Sequence, residues 1–421
     1  MLAPRCPINR IGTASPCRTA ARNGARLSIL TLRQARQVQR TPDRARVSTH
    51  ERHVAFAVPG DLATPTGGYR YDRRIIQELR KLGWQVDIAD IGDDFPFPST
   101  AQRAAALAIL SALPAGHPIV LDGLAFGALP EAAALRSRTP LIALVHQPLA
   151  LDPGLDTTQA DIFRDTERAA LAAAARVVVT SEATARIVTA DYEVPSRRIS
   201  VVRPGTDRAP PAPGSSDGIV RLLSVGSVLP VKGYDLLIAA LATLADMPWE
   251  LTIAGDRTRN PAAAAQLDAD IEARGLGDRV AVLGAVPSER INELFLASDV
   301  FVLASRFEGY GMALAEAIAH GVPVVSTMTG AIPQTVPEGT GLLVPPNDAA
   351  ALAQALSRLI GEPAQRRRLA MSAYAAASQL PTWQNSGRLF ADAIETVGSA
   401  RVDLCNRLDG YALETLAEAA E

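Results

Sequence analysis

The chain has 421 residues, 48% of them hydrophobic and 20% charged, with a formal net charge of −2, enough for two or three domains with full cores and soluble in composition. No run of about 20 apolar residues occurs, which excludes a membrane-spanning helix, and Cys6, Cys17 and Cys405 have no metal-ligand or disulfide-framework spacing and point to a reducing, cytoplasmic compartment. Residues 1–50 hold ten arginines against one acid, Asp43, a net of +9 that leaves −11 for the rest, and an acidic body argues against nucleic acid as a partner.

In chain order, residues 1–50 are Arg-rich, acid-poor and aperiodic, which predicts a disordered extension. A transit peptide has this composition, and so does DNA translated upstream of a misassigned start; the second reading is preferred, with the fold beginning near His53. Val54–Val58 is predicted as a strand, followed by a loop carrying Gly67-Gly68. Tyr71–Leu82 is a helix with Ile75, Ile76, Leu79 and Leu82 on one face. Strands follow at Val86–Ile91, Ile119–Asp122 and Leu141–His146, with a helix between the last two. A long helix, Ala160–Ala175, leads to a strand at Val177–Thr180. After the linker Pro210–Ser216 the alternation restarts. Strands are predicted at Arg221–Gly226, Glu250–Ala254, Val280–Leu283, Val300–Ala304 and Pro323–Ser326, and helices at Met312–His320 and Ala349–Ile360. Strands alternating with helices predict parallel sheets covered on both faces, here in two successive α/β halves with a cleft between them. The expected domains are 51–209 and 215–380, then a helix at 381–398 and a tail at 399–421.

Four constellations carry chemistry. In Ser224–Tyr234 a strand ends in Gly226-Ser227, and a loop brings Lys232 to the start of a helix. Lys81 and Lys232 are the two lysines against forty arginines, so a retained ammonium suits a compact point charge on a diphosphate, although a solvated loop lysine explains it equally well. In Ser305–Ala317, Glu308-Gly309-Tyr310-Gly311 closes a strand and Met312 opens a helix that carries Glu316. Two carboxylates beside the free amides of a helix start suit a ligand with hydroxyls at both ends and phosphate between. His146 ends a strand in the first half, where side chains face the cleft of an open α/β sheet; taken alone, a structural histidine is the commoner case. Gly67-Gly68 lets backbone approach a ligand closely, and an ordinary turn explains it as well. No Cys/His cluster has zinc spacing, no Walker loop is present, and no Gly-x-Gly-x-x-Gly follows the first strand.

Taken together, Gly226…Lys232-Gly233, Glu308 with seven residues before Glu316, Gly321–Val325 and Gly341–Pro346 resemble the retaining glycosyltransferases of family 4, over about Val54–Val397. The resemblance implies a GT-B fold, two Rossmann-like domains facing each other across a cleft, with the C-terminal helix returning to the N-terminal domain. It implies metal-independent transfer, without a cofactor, from a nucleotide-diphosphate sugar to an acceptor that the sequence leaves open (a glycan, a lipid or a small molecule). Glu308 would then hold hydroxyls of the transferred sugar and Glu316 the ribose. His146 would contact the donor sugar near the reacting carbon, and Gly67 and Gly68 would lie near the diphosphate and acceptor. Lys232 and the amides of Gly309, Tyr310, Gly311 and Met312 would stabilise the leaving diphosphate. Ser227 stands where the family often has an arginine, and Arg257 is the expected replacement. A nucleotide-sugar epimerase or sugar phosphorylase of the same architecture is the alternative, and a non-catalytic sugar-nucleotide-binding partner protein is the alternative of another class. Arg70, Arg73, Arg74, Arg80 and Lys81 offer a peripheral contact with anionic lipid at the inner face of the membrane, although a solvated helix face is the preferred reading.

Overall fold

A computed structural model describes residues 52–397. The expected N-terminal extension, the 399–421 tail and the three cysteines lie outside the described residues.

Two six-stranded parallel sheets are built in succession. The first contains β1 (His53–Val58), β2 (Gln85–Asp90), β3 (Ile119–Asp122), β4 (Leu141–Val145), β5 (Arg176–Val179) and β6 (Ile199–Val201), in the order β2-β1-β3-β4-β5-β6. The second contains β7 (Val220–Val225), β8 (Trp249–Ala254), β9 (Val280–Val282), β10 (Val300–Leu303), β11 (Val324–Thr327) and β12 (Gly341–Val344), in the order β12-β11-β10-β7-β8-β9. Central strands such as β3, β4 and β10 are buried along their length and, Asp122 at the end of β3 aside, apolar, as a strand covered on both faces requires. Each sheet reverses its strand order once, between β1 and β3 and between β7 and β10. Ligands of open α/β sheets bind outside the carboxyl ends of strands at such points; Lys232 follows β7 and Glu308 follows β10, the two strands at the reversal of the second sheet, while His146 follows β4 of the first.

The chain then crosses back. A helix at 383–397 leaves the second half and lays Trp383, Phe390 and Ile394 against Phe56, Tyr71 and Ile75 of the first. Phe390 stacks on Phe56 with ring centroids 5.6 Å apart, and Ser386 Oγ donates to the Arg203 carbonyl at 2.6 Å. The predicted return of the C-terminal helix is therefore observed.

Several expectations need correction. Gly67 and Gly68 do not lie in a loop: they open the helix Gly67–Lys81, whose N-cap Thr66 accepts from the Tyr69 amide at 3.1 Å. The helix expected between β3 and β4 is a single turn, Gly123–Phe126, followed by a 3-10 segment, Pro130–Ser137; Gly127 and Pro130 break what an alanine-rich stretch would otherwise continue. The edge strands β6 and β12 and the helix Pro363–Ala376 had not been assigned. Three or four residues at a sheet edge carry too little pattern for period-2 reading.

Candidate functional site

The second half supplies one wall. β10 runs into Ser305, and the following turn folds Glu308 back so that its Oε1 accepts from Ser305 Oγ at 2.6 Å and from Lys232 Nζ at 2.6 Å. Lys232 ends a 3-10 turn, Pro230–Lys232, after β7. The two loops are tied by the Arg306 amide, which donates to the Val231 carbonyl at 2.7 Å, and by Arg306, which donates to Asp235 through both guanidinium nitrogens. Glu308 and the Lys232 side chain are mostly buried, with 10% and 20% of their side-chain surface exposed, so their attraction is screened far less than that of a surface pair.

The first half supplies the other wall. His146 follows β4, and its Nε2 stands 3.2 Å from Asp72 Oδ1 and 3.6 Å from Asp122 Oδ2. These are charge-pair distances without in-line hydrogen-bond geometry. Tyr71 meets the ring edge-on, with centroids 5.3 Å apart. Gly68 lies under it: a Cβ there would stand 3.2 Å from His146 Cδ2, close enough to press the ring by a few tenths of an ångström. Burial works against the charge on His146, but the two carboxylates outweigh it and raise the ring to about 10. Burial pushes Asp72 up to about 6, against the pull of His146.

The walls meet at Gly309. A Cβ on this residue would fall 1.9 Å from the His146 carbonyl oxygen, so only glycine permits the approach. Thr180 Oγ1 donates to the His146 carbonyl at 3.2 Å and lies 3.4 Å from that of Gly309. Tyr310 is buried behind this contact, and its carbonyl accepts from Thr335 Oγ1 at 2.5 Å. Gly311, in the left-handed region at φ 88°, caps the helix Met312–Ala319, and Met312 packs against the core of the first half. Glu316, one turn further, is ion-paired with Arg70 of the helix Gly67–Lys81. Burial raises the Glu316 carboxyl and Arg70 opposes the rise.

Of the residues expected from sequence, Lys232 and Glu308 form one contact group, and His146, Gly68 and Gly309 form a second. Glu316 reaches the first half instead of the Lys232 group. Ser227 follows Gly226 at the end of β7. Arg257 is paired with Asp268 on the helix Pro261–Ala273, in a contact where both side chains are partly exposed. Asp268-Ala269-Asp270 has the Asp-x-Asp spacing of many metal-binding loops, but it lies within that helix, where Asp268 holds Arg257 and Asp270 accepts from Gln266. Arg70, Arg73, Arg74, Arg80 and Lys81, the cations of the helix for which a solvated face was preferred over lipid contact, each have a partner within the chain. Asp72, Asp122 and Ser305 had been assigned no role. Asp72 carried a readable signal, since it precedes Ile75 and Ile76 by three and four residues and so places an acid on an apolar stripe.

Comparison with known proteins bears on the same residues. The model of the glycosyl transferases group 1 matches residues 207–376, and that of glycosyltransferase family 4 matches residues 119–209. A D-inositol 3-phosphate glycosyltransferase of Xylanimonas cellulosilytica is 30% identical over 284 residues, covering 62% of this chain and 67% of that protein. The chain belongs to glycosyltransferase family 4. A second relative of the same name, from Streptomyces avermitilis, is 31% identical over 268 residues and covers 57% of each chain. The matched region thus spans about three fifths of the curated relatives' length. Among solved structures, this family 4 chain is similar to Anabaena HepE in complex with UDP-glucose, with a TM-score of 0.66, 19% identity and coverage of 82% and 99% of the two chains. That likeness shows the shared GT-B architecture.

Proposed function

We propose that the chain is a retaining glycosyltransferase that moves a sugar from a nucleotide-diphosphate sugar to a hydroxyl acceptor without a metal ion. The observation that carries this reading is the convergence of Lys232, Ser305 and Glu308 beside the start of the helix Met312–Ala319, with His146 brought against Gly309 from the opposite half. Breaking a sugar–phosphate bond leaves negative charge on the diphosphate. An ammonium and the unpaired amides of a helix start are suited to that charge, and one well-placed donor is worth about 3 kcal/mol in such a reaction. Glu308, which already holds a cation and a hydroxyl, positions the sugar rather than serving as a base. Retention follows from attack on the face the leaving group departs: the acceptor oxygen bonds to the anomeric carbon, the carbon–oxygen bond to phosphate breaks, and the acceptor proton passes to the departing phosphate oxygen. No enzymic nucleophile is required.

The test is a thermal-shift screen against UDP-, GDP-, ADP- and TDP-sugars, repeated with Lys232→Ala and Glu316→Ala. One donor is expected to stabilise the wild type and to lose most of that effect in both variants. No stabilisation by any nucleotide sugar would overturn the reading. Turnover of the donor without an acceptor would favour an epimerase, dependence on inorganic phosphate a phosphorylase, and tight binding with no transfer a non-catalytic binder.

A further inference from the structure

Asp72 is fully buried on the apolar face of the helix Gly67–Lys81, and neither of its carboxylate oxygens has a hydrogen bond among the described residues. A carboxylate in such a place is strongly unfavourable unless a cation stands beside it, and the group that stands there is His146 Nε2. Asp122 approaches the same nitrogen from the end of β3, while its Oδ1 accepts from the Leu124 amide at 2.7 Å. The other groups around the ring do not compete for it. Tyr71 presents its ring and sends its hydroxyl to the Val202 carbonyl. The Tyr69 hydroxyl, in the field of Asp72, Asp122, Asp90 and Arg259, is bonded to the Pro59 carbonyl. Arg73, which feels Asp72, donates to the carbonyls of Leu62 and Thr64. Across the cleft Glu308 is held by Lys232, so the second half meets His146 through the Gly309 backbone.

We propose that Asp72 is a positioning residue which, together with Asp122, holds His146 as a fixed imidazolium, so that the ring acts in the transfer as a permanently charged hydrogen-bond donor and never as a base. This rests on the glycosyl-transfer reading above. With Nε2 committed to the two carboxylates, Nδ1–H is the donor left for an oxygen of the substrate.

The chain has five histidines, so His146 is assignable by NMR of protein labelled with 15N-histidine, using His146→Ala to identify its signals. Both ring nitrogens are expected to remain protonated in the wild type from pH 6.5 to 8.5. In Asp72→Asn the ring should lose its proton at least about one pH unit lower, a tenfold drop in proton affinity. On the nucleotide sugar found by the screen, kcat of Asp72→Asn should then begin to fall at a pH at least about one unit below that at which the wild type falls, with KM for the donor changing much less. A neutral His146 ring in the wild type at pH 7.5, or a titration or kcat profile unchanged by Asp72→Asn, would overturn the proposal. So would activity that requires an added divalent ion and loses that requirement in Asp72→Asn, since the three side chains would then be metal ligands. The ring measurement on the wild type, and on Asp122→Asn if Asp72→Asn does not fold, needs no turnover, so failure of this inference is distinguishable from failure of the transferase reading.

Discussion

Arg70 and Glu316 form a charged contact between the first turn of one helix and the second turn of another, in different halves of the molecule. In the proposed reading Glu316 would hold the ribose of the donor, so nucleotide and Arg70 would compete for one group. About a third of the Arg70 side chain is exposed, and pairs of that kind couple by about 1 kcal/mol or less. A double-mutant cycle with Arg70→Ala and Glu316→Gln, read by urea denaturation, is expected to give coupling of about that size. A coupling of zero would show that the contact contributes nothing to closure. The two charges were conspicuous in the sequence, yet their pairing was not, because residues 246 positions apart are brought together only by the placement of the two sheets. For the same reason Lys232 and Glu308 were readable as separate motifs but not as a bonded pair.

Among the elements, the segment after β4 shows how the loop that carries His146 is fixed. Leu149, three residues beyond His146, donates its amide to both oxygens of Glu167 at 3.1 and 3.3 Å, and Glu167 lies buried in the helix Thr157–Ala173. Burial raises its carboxyl to about 8, against the opposing bonds from Tyr192 and the Leu149 amide. A carboxyl whose folded pKa lies above its unfolded value near 4.5 binds more protons when folded; its stabilising contribution is complete below pH 4.5 and is lost as pH rises through about 8. Glu167→Gln keeps an oxygen for Leu149 without a titrating proton. Its melting temperature is therefore expected to equal or fall below the wild-type value at pH 4.5 and to exceed it at pH 8.5; a difference independent of pH would contradict the assigned protonation. The buried strands β1, β3, β4 and β5 of this half were legible because each is a largely apolar run. The 3-10 segment Pro130–Ser137 was not, since alanine-rich sequence favours a regular helix and the interruption comes from Gly127 and Pro130.

At the scale of the whole molecule, the helix 383–397 is part of the core of the first half although it is reached through the second. Trp383, Phe390 and Ile394 are each at most 2% exposed, and loss of one such aromatic side chain costs about 3–5 kcal/mol. Phe390→Ala is accordingly expected to lower the melting temperature by several degrees and to destabilise the first half selectively, which hydrogen exchange of β1 and β3 would report. Uniform protection of both sheets in that variant would show that the two halves unfold as one unit. The linker Pro210–Ser216 and this returning helix mean that the backbone crosses between the sheets twice. A single tether would let one half swivel in any direction, whereas two crossings define an axle. Any opening between the halves would have to part the Gly309–His146 contact and the Arg70–Glu316 pair together, like the free edge of a door leaving its frame.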